Sequence, residues 1–124
     1  MFDELKGDKT ITLQIFGKNV QSLKAETRED ELIEELKCFD WDFVLLSETW
    51  RPSLSERWHT EEGHMFCGSG GSDGKNGVAI MIHRRWRSKF KAFHAISDCL
   101  CAVDVDIPDE KIRFIHLFST WRMF

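Results

Sequence analysis

From Thr10 to Ile15 the apolar residues Ile11, Leu13 and Ile15 alternate with Thr10, Thr12 and Gln14. A period of two puts like residues on one face of an extended chain, so this stretch predicts a strand with unlike faces. The pattern then changes. Thr27-Arg-Glu-Asp30 resembles a capping box, and Leu32, Ile33 and Leu36 recur among acids at helical spacing, which predicts a helix from about Thr27 to Lys37. Phe43, Val44, Leu45 and Leu46 follow without a polar interruption, as in a buried strand. Strand, helix, strand in that order implies a right-handed crossover, with the two strands parallel neighbours and their C-terminal ends on one side of the sheet.

Further along, residues 51–60 read as irregular, His64 to Cys67 as a short strand, and Val78 to Ile82 as a longer one. The glycine-rich stretch from Gly68 to Gly77 lies between the last two and reads as a flexible hairpin. Runs from Cys99 to Ile107 and from Ile112 to Phe118 flank Pro108-Asp-Glu-Lys111 and predict an antiparallel hairpin. No internal repeat or linker interrupts this order. The expected organisation is one partial domain over residues 10–118, with residues 1–9 and 119–124 as tails.

Composition narrows the class. With 124 residues, 42% hydrophobic and 12% aromatic, the chain has the apolar material for one folded domain rather than a disordered segment. A formal net charge of -4 gives no general case for nucleic-acid binding, so any basic footprint must be local. The acidic start Met1-Phe2-Asp3-Glu4 is unlike a signal peptide, and no apolar run reaches bilayer length. The expectation is a soluble intracellular protein, nuclear or cytoplasmic, with no membrane partner. Cys38, Cys67, Cys99 and Cys101 lack paired CxxC spacing and are expected to be free thiols.

Candidate chemistry starts at the strand ends, the usual position for sites in open α/β sheets. Glu48 closes the second strand and Asn19 follows the first. A carboxylate and an amide oxygen are the hard donors that Mg²⁺ prefers, and Mg²⁺ takes only one or two protein carboxylates while water and phosphate complete its shell. Mn²⁺ is an alternative ion. A solvated turn residue is the plainer reading of an acid after a strand.

The glycine-rich stretch fails as a P-loop, because the first required position holds Ser69 and the last Asn76. It fails as a dinucleotide fingerprint at Asp73. Arg84, Arg85, Arg87, Lys89 and Lys91 form an acid-free run with Trp86 and Phe90 interleaved, which can track a phosphate backbone and offer stacking surfaces, or can be a solvated face. His59, His64 and Cys67, or Cys99 and Cys101, have the wrong spacing for a common zinc module and read as surface imidazoles and buried thiols. No histidine has an identifiable nucleophile partner, so a hydrolase triad finds no support.

Three segments in order, Asn19-Val-Gln-Ser-Leu23, Leu46-Ser-Glu-Thr-Trp50 and Gly77-Val-Ala-Ile-Met-Ile-His-Arg-Arg-Trp86, resemble the endonuclease/exonuclease/phosphatase superfamily. The chain looks most like the apurinic-endonuclease-type domain of non-LTR retrotransposon proteins of the endonuclease-reverse transcriptase type, over about Thr10 to Leu117. The resemblance implies the truncated N-terminal half of a four-layered, DNase I-like α/β sandwich, with a mixed sheet and one main helix. It also implies Mg²⁺-dependent phosphodiester cleavage and nucleic acid as partner, DNA rather than RNA. By that resemblance Asn19 and Glu48 match the family's first two metal-site residues, catalytic and metal-holding, with Glu48 the principal metal ligand.

There are departures. Lys18 stands where the family commonly has tryptophan, and Phe118-Ser-Thr-Trp-Arg-Met-Phe124 replaces a tyrosine and proline-containing turn. The later Gly-Asp-Phe-Asn-type and Ser-Asp-His motifs have no counterpart. A positioned general base is typically worth about 10²- to 10⁴-fold in rate, so the chain is expected to be an N-terminal fragment, catalytically incompetent alone. One sheet face is expected to lack its cover, which would favour self-association. The alternatives are a non-catalytic nucleic-acid-binding or interaction module, and a retroelement relic without function.

Overall fold

The computed structural model describes residues 12–72, 74–107 and 110–117. β1 (Ile15–Asn19), α1 (Glu26–Leu36) and β2 (Phe43–Ser47) form the expected crossover unit. β1 pairs parallel to β2, with Ile15 opposite Phe43 and Asn19 opposite Ser47. β3 (Glu56–His59), β4 (Met65–Ser69) and β5 (Val78–Ile82) extend this into a five-stranded mixed sheet ordered β1-β2-β5-β4-β3. A 3₁₀ helix (Arg84–Lys89) then leads into β6 (Phe90–Ser97), β7 (Leu100–Ile107) and β8 (Glu110–Leu117), which form a three-stranded antiparallel sheet.

The uninterrupted apolar run of β2 follows from its central place, because both faces of the sheet are covered there. Val44 and Leu46 pack with Leu32 and Leu36 of α1, and with Phe66, Ala79 and Met81. Phe43 and Leu45 face the other way, into a cluster where Cys67, Val78, Ile80 and Ile82 meet Cys101, Val103, Val105 and Ile107 of β7. Helix, sheet and sheet are thus layered in a mixed α/β arrangement, consistent with part of a DNase I-like sandwich. The face expected to stand open is covered by β6, β7 and β8 of the same chain.

Local expectations are met unevenly. The β7–β8 hairpin, β5, the short strand β4 and the parallel β1–β2 pair are all present. β1, however, begins only at Ile15, the last residue of the alternating stretch; Thr10 and Ile11 lie outside the described residues. As an edge strand it is exposed along its whole length, so pairing with β2, not its own apolar pattern, decides which residues form it. The helix starts at Glu26 behind an Ala25 N-cap that makes no side-chain hydrogen bond, so Thr27 is already inside it and the capping box is not used. Glu26 and Glu29 in the first turn still complement the helix dipole. β3 occupies the stretch read as irregular.

All four cysteines are free; Cys67 and Cys101 are buried between the sheets, and burial pushes both thiols up to about 12. No helix among the described residues is long and apolar enough to cross a membrane.

Candidate active site

The parallel register of β1 and β2 places Asn19 beside Ser47, and backbone pairing continues past the strand ends. Val20 N–H donates to the Ser47 carbonyl at 2.9 Å, Ser22 N–H to that of Glu48 at 2.8 Å, and Leu23 N–H to that of Thr49 at 2.7 Å. On the other side Thr49 N–H reaches the Gly77 carbonyl at 3.1 Å and Trp50 N–H that of Asn76 at 2.8 Å, while Gly77 N–H reaches Asp98 at 2.7 Å. Residues from four segments are therefore joined along one rim of the large sheet.

Backbone strain concentrates on the same rim. Gln21, Ser22, Glu48, Trp50 and Asn76 have positive φ, with Glu48 at 55°. For an L-residue this region costs about 1–2 kcal/mol, so the surrounding hydrogen bonds must over-determine it. Such strain is characteristic of functional sites.

At the centre, Asn19 Nδ2 donates to Glu48 Oε2 at 2.6 Å, and Gln21 N–H donates to Asn19 Oδ1 at 3.2 Å. The pair expected from the sequence is thus in contact. Asn19 turns its amide nitrogen to the carboxylate and its oxygen to the backbone, so it orients Glu48 and leaves Oε1 without a hydrogen-bond donor among the described residues. Lys18 reaches across to Glu35 of α1 at 3.0 Å.

The donor chemistry fits a hard divalent cation of the Mg²⁺ type, which takes few protein ligands and keeps its water. Glu48 is the residue that would hold it directly. Among the described residues no group of three or more His, Cys, Asp or Glu side chains is gathered for a metal.

Two further residues brace the rim and carry no local sequence signal. His116 of β8 is buried and donates from Nε2 to the Leu46 carbonyl at 2.9 Å, with Ser47 Oγ at 3.3 Å. Burial lowers its pKa, which keeps the ring neutral. Asp98, in the β6–β7 turn, accepts from Asn76 Nδ2 at 3.1 Å. Asn76 itself belongs to an Asn-Gly pair, a turn signal visible within the glycine-rich stretch.

The basic run lies elsewhere. β5 runs antiparallel to β2, with Val78 opposite Ser47 and Ile82 opposite Phe43, so Arg84 follows at the end of the sheet away from Glu48. Five residues at roughly 3.3 Å each make that separation on the order of 15 Å. Arg85 is drawn to Asp42 at 3.4 Å and Lys91 to Asp106 at 3.3 Å. Trp86 and Phe90 pack against the inter-sheet cluster and are not free stacking platforms. Arg84, Arg87 and Lys89 have no carboxylate partner among the described residues.

No curated protein matches the chain. The model of the Endonuclease/Exonuclease/phosphatase family matches residues 16–120, a span that includes both Asn19 and Glu48 and runs through β8. With most of its length matched, the chain belongs to the endonuclease/exonuclease/phosphatase family.

Proposed function

We propose that the Asn19–Glu48 rim is the metal-holding part of a Mg²⁺-dependent phosphodiesterase site acting on nucleic acid, DNA rather than RNA, of the retroelement endonuclease type. The family is one of nuclease- and phosphatase-type enzymes and is generally metal-dependent. The observation that carries the reading is the 2.6 Å contact between Asn19 and Glu48 on a strained, hydrogen-bonded rim. Mn²⁺ has the same hard-donor preference and would substitute for Mg²⁺.

Bound at Glu48, the ion would supply Lewis-acid polarisation of a phosphodiester oxygen. Asn19 holds the carboxylate in one orientation through Nδ2, and the Gln21 N–H holds Asn19 in turn. The buried His116 steadies the end of β2 by donating to the Leu46 carbonyl. No second carboxylate or free imidazole joins the pair among the described residues. A general base contributes about 10²- to 10⁴-fold, so the pair acting without one would turn over slowly.

Nicking of supercoiled DNA in Mg²⁺, compared between the protein and its Glu48→Ala variant, tests this, together with broadening of the Ser22 and Thr49 amide signals by Mn²⁺. Weak nicking and Mn²⁺ broadening that both vanish in Glu48→Ala support the site. Broadening that is unchanged by the substitution overturns it.

A further inference from the structure

We propose that a groove between the edge strand β3 and the 3₁₀ helix is a second phosphate-binding site, at which Arg57, Arg84 and Arg87 hold the backbone of a nucleic-acid strand. The groove has a volume of about 560 Å³ and is lined by Arg57, His59, Arg84, Arg87 and Ser88, with Phe90 among its walls. No carboxylate lines it.

The distribution of the arginines singles this place out. Arg28, Arg51, Arg85 and Arg113 each pair with a carboxylate. The other described arginines are Arg57, Arg84 and Arg87, and all three line this one groove. In a chain of net charge -4, three guanidinium groups gathered without a counter-charge create a local positive field that the composition conceals.

The groups are also held in position. Arg57 lies over the Phe90 ring at 5.1 Å from its centroid. Arg84 and Arg87 contact the carbonyls of Glu62 and Gly63 at 3.4 Å and 3.2 Å, and the Arg84 N–H donates to His64 Nδ1 at 3.0 Å. A guanidinium fork already fixed at one end loses little freedom on binding and matches phosphate oxygens with its remaining N–H groups. Charge on β3 also deters edge-to-edge pairing, which accounts for Arg57. It does not account for Arg84 and Arg87 lining the same groove.

The choice of a nucleic-acid strand as ligand rests on the function proposed above, but the site is separate from Glu48. Binding of a labelled single-stranded DNA oligonucleotide, followed by fluorescence anisotropy in EDTA, therefore tests it without the metal. The combined Arg57→Gln, Arg84→Gln, Arg87→Gln variant is expected to bind about tenfold more weakly, with the slope of log Kd against log salt reduced by about 2. Ser88→Glu, which leaves every guanidinium contact in place, is expected to weaken binding several-fold, while Lys111→Ala leaves the slope near that of the native protein. EDTA removes the metal from this assay, so failure of the metal site and failure of this groove are read separately. DNA affinity unchanged in both the triple variant and Ser88→Glu overturns the proposal, as does competition by inorganic phosphate alone with no effect of either variant on DNA.

Discussion

The indole of Trp86 donates to the buried carboxylate of Asp42 at 2.7 Å, and the other oxygen of Asp42 accepts the Gln14 N–H at 2.8 Å. One acid thus joins the segment before β1, the start of β2 and the 3₁₀ helix. Asp42→Ala leaves the Trp86 and Gln14 donors and the Arg85 guanidinium without their carboxylate and is expected to destabilise the fold by about 3 kcal/mol, read from urea denaturation. Asp42→Asn, which keeps one oxygen, should cost clearly less. Equal small losses in both would show that the acid is dispensable to the fold.

Glu48 sits at φ 55°, a conformation that glycine adopts without a Cβ penalty. Glu48→Gly is expected to raise stability by about 1 kcal/mol while abolishing any metal-dependent activity. Glu48→Ala keeps the Cβ and should show no such gain. Chemical denaturation of the two variants side by side separates relief of strain from removal of the charge.

Gly77 has φ 94°, and a Cβ there would run into Thr49 Oγ1 on the candidate site's own rim. Gly77→Ala is expected to cost about 2 kcal/mol or more. Gly74, at φ 70°, faces only the end of the Lys24 side chain, whose Nζ would lie 3.1 Å from a Cβ. Gly74→Ala should therefore cost about 1 kcal/mol, from the backbone alone. Thermal melts that rank the two substitutions the other way would contradict the packing described here.

His64 and His83 use Nδ1 to accept backbone N–H groups of Arg84 at 3.0 Å and Arg85 at 3.2 Å, so both rings must be neutral for these bonds to form. Burial, then the Arg85 charge, lowers His83 to about 4, and burial lowers His64. Unfolded histidine takes its proton at about 6.5, so between there and about 4 the unfolded chain binds more protons than the folded one. Stability should be level above about pH 6.5 and fall as the pH drops toward 4. Asp104, held below the usual carboxylate range by Arg113 and then His94, loses its contribution only at still lower pH. Melting temperatures across this range should fall less steeply for His83→Asn than for the native protein.

Much of this fold can be read in the sequence because its central elements carry their own pattern. β2 and β5 are buried on both faces and read as apolar runs; α1 shows its Leu32 and Leu36 spacing. Edge strands do not advertise themselves in this way. β1 is exposed throughout, and β3 places Arg57 and His59 in solvent, so neither needs an apolar signature to pair. The Asn19–Glu48 contact was legible because two parallel neighbours end at the same level. Its supports were not, since His116 acts on the Leu46 carbonyl across 70 positions of sequence and Asp98 acts through Asn76 across 22. For the basic run the sequence shows the charge, but β-sheet register decides which arginines meet and that Arg57 joins them.

The backbone ladder that runs past the ends of β1 and β2 has a consequence for how a substrate is received. Ser22, Leu23, Thr49 and Trp50 belong to no strand, yet each amide is given to a neighbouring segment. In hydrogen exchange these loop amides should be as slow as those of the sheet they extend. Such a surface does not close over its ligand, so a phosphodiester reaching Glu48 would have to bend to a shape already set, and deformability of the nucleic acid would become part of selectivity.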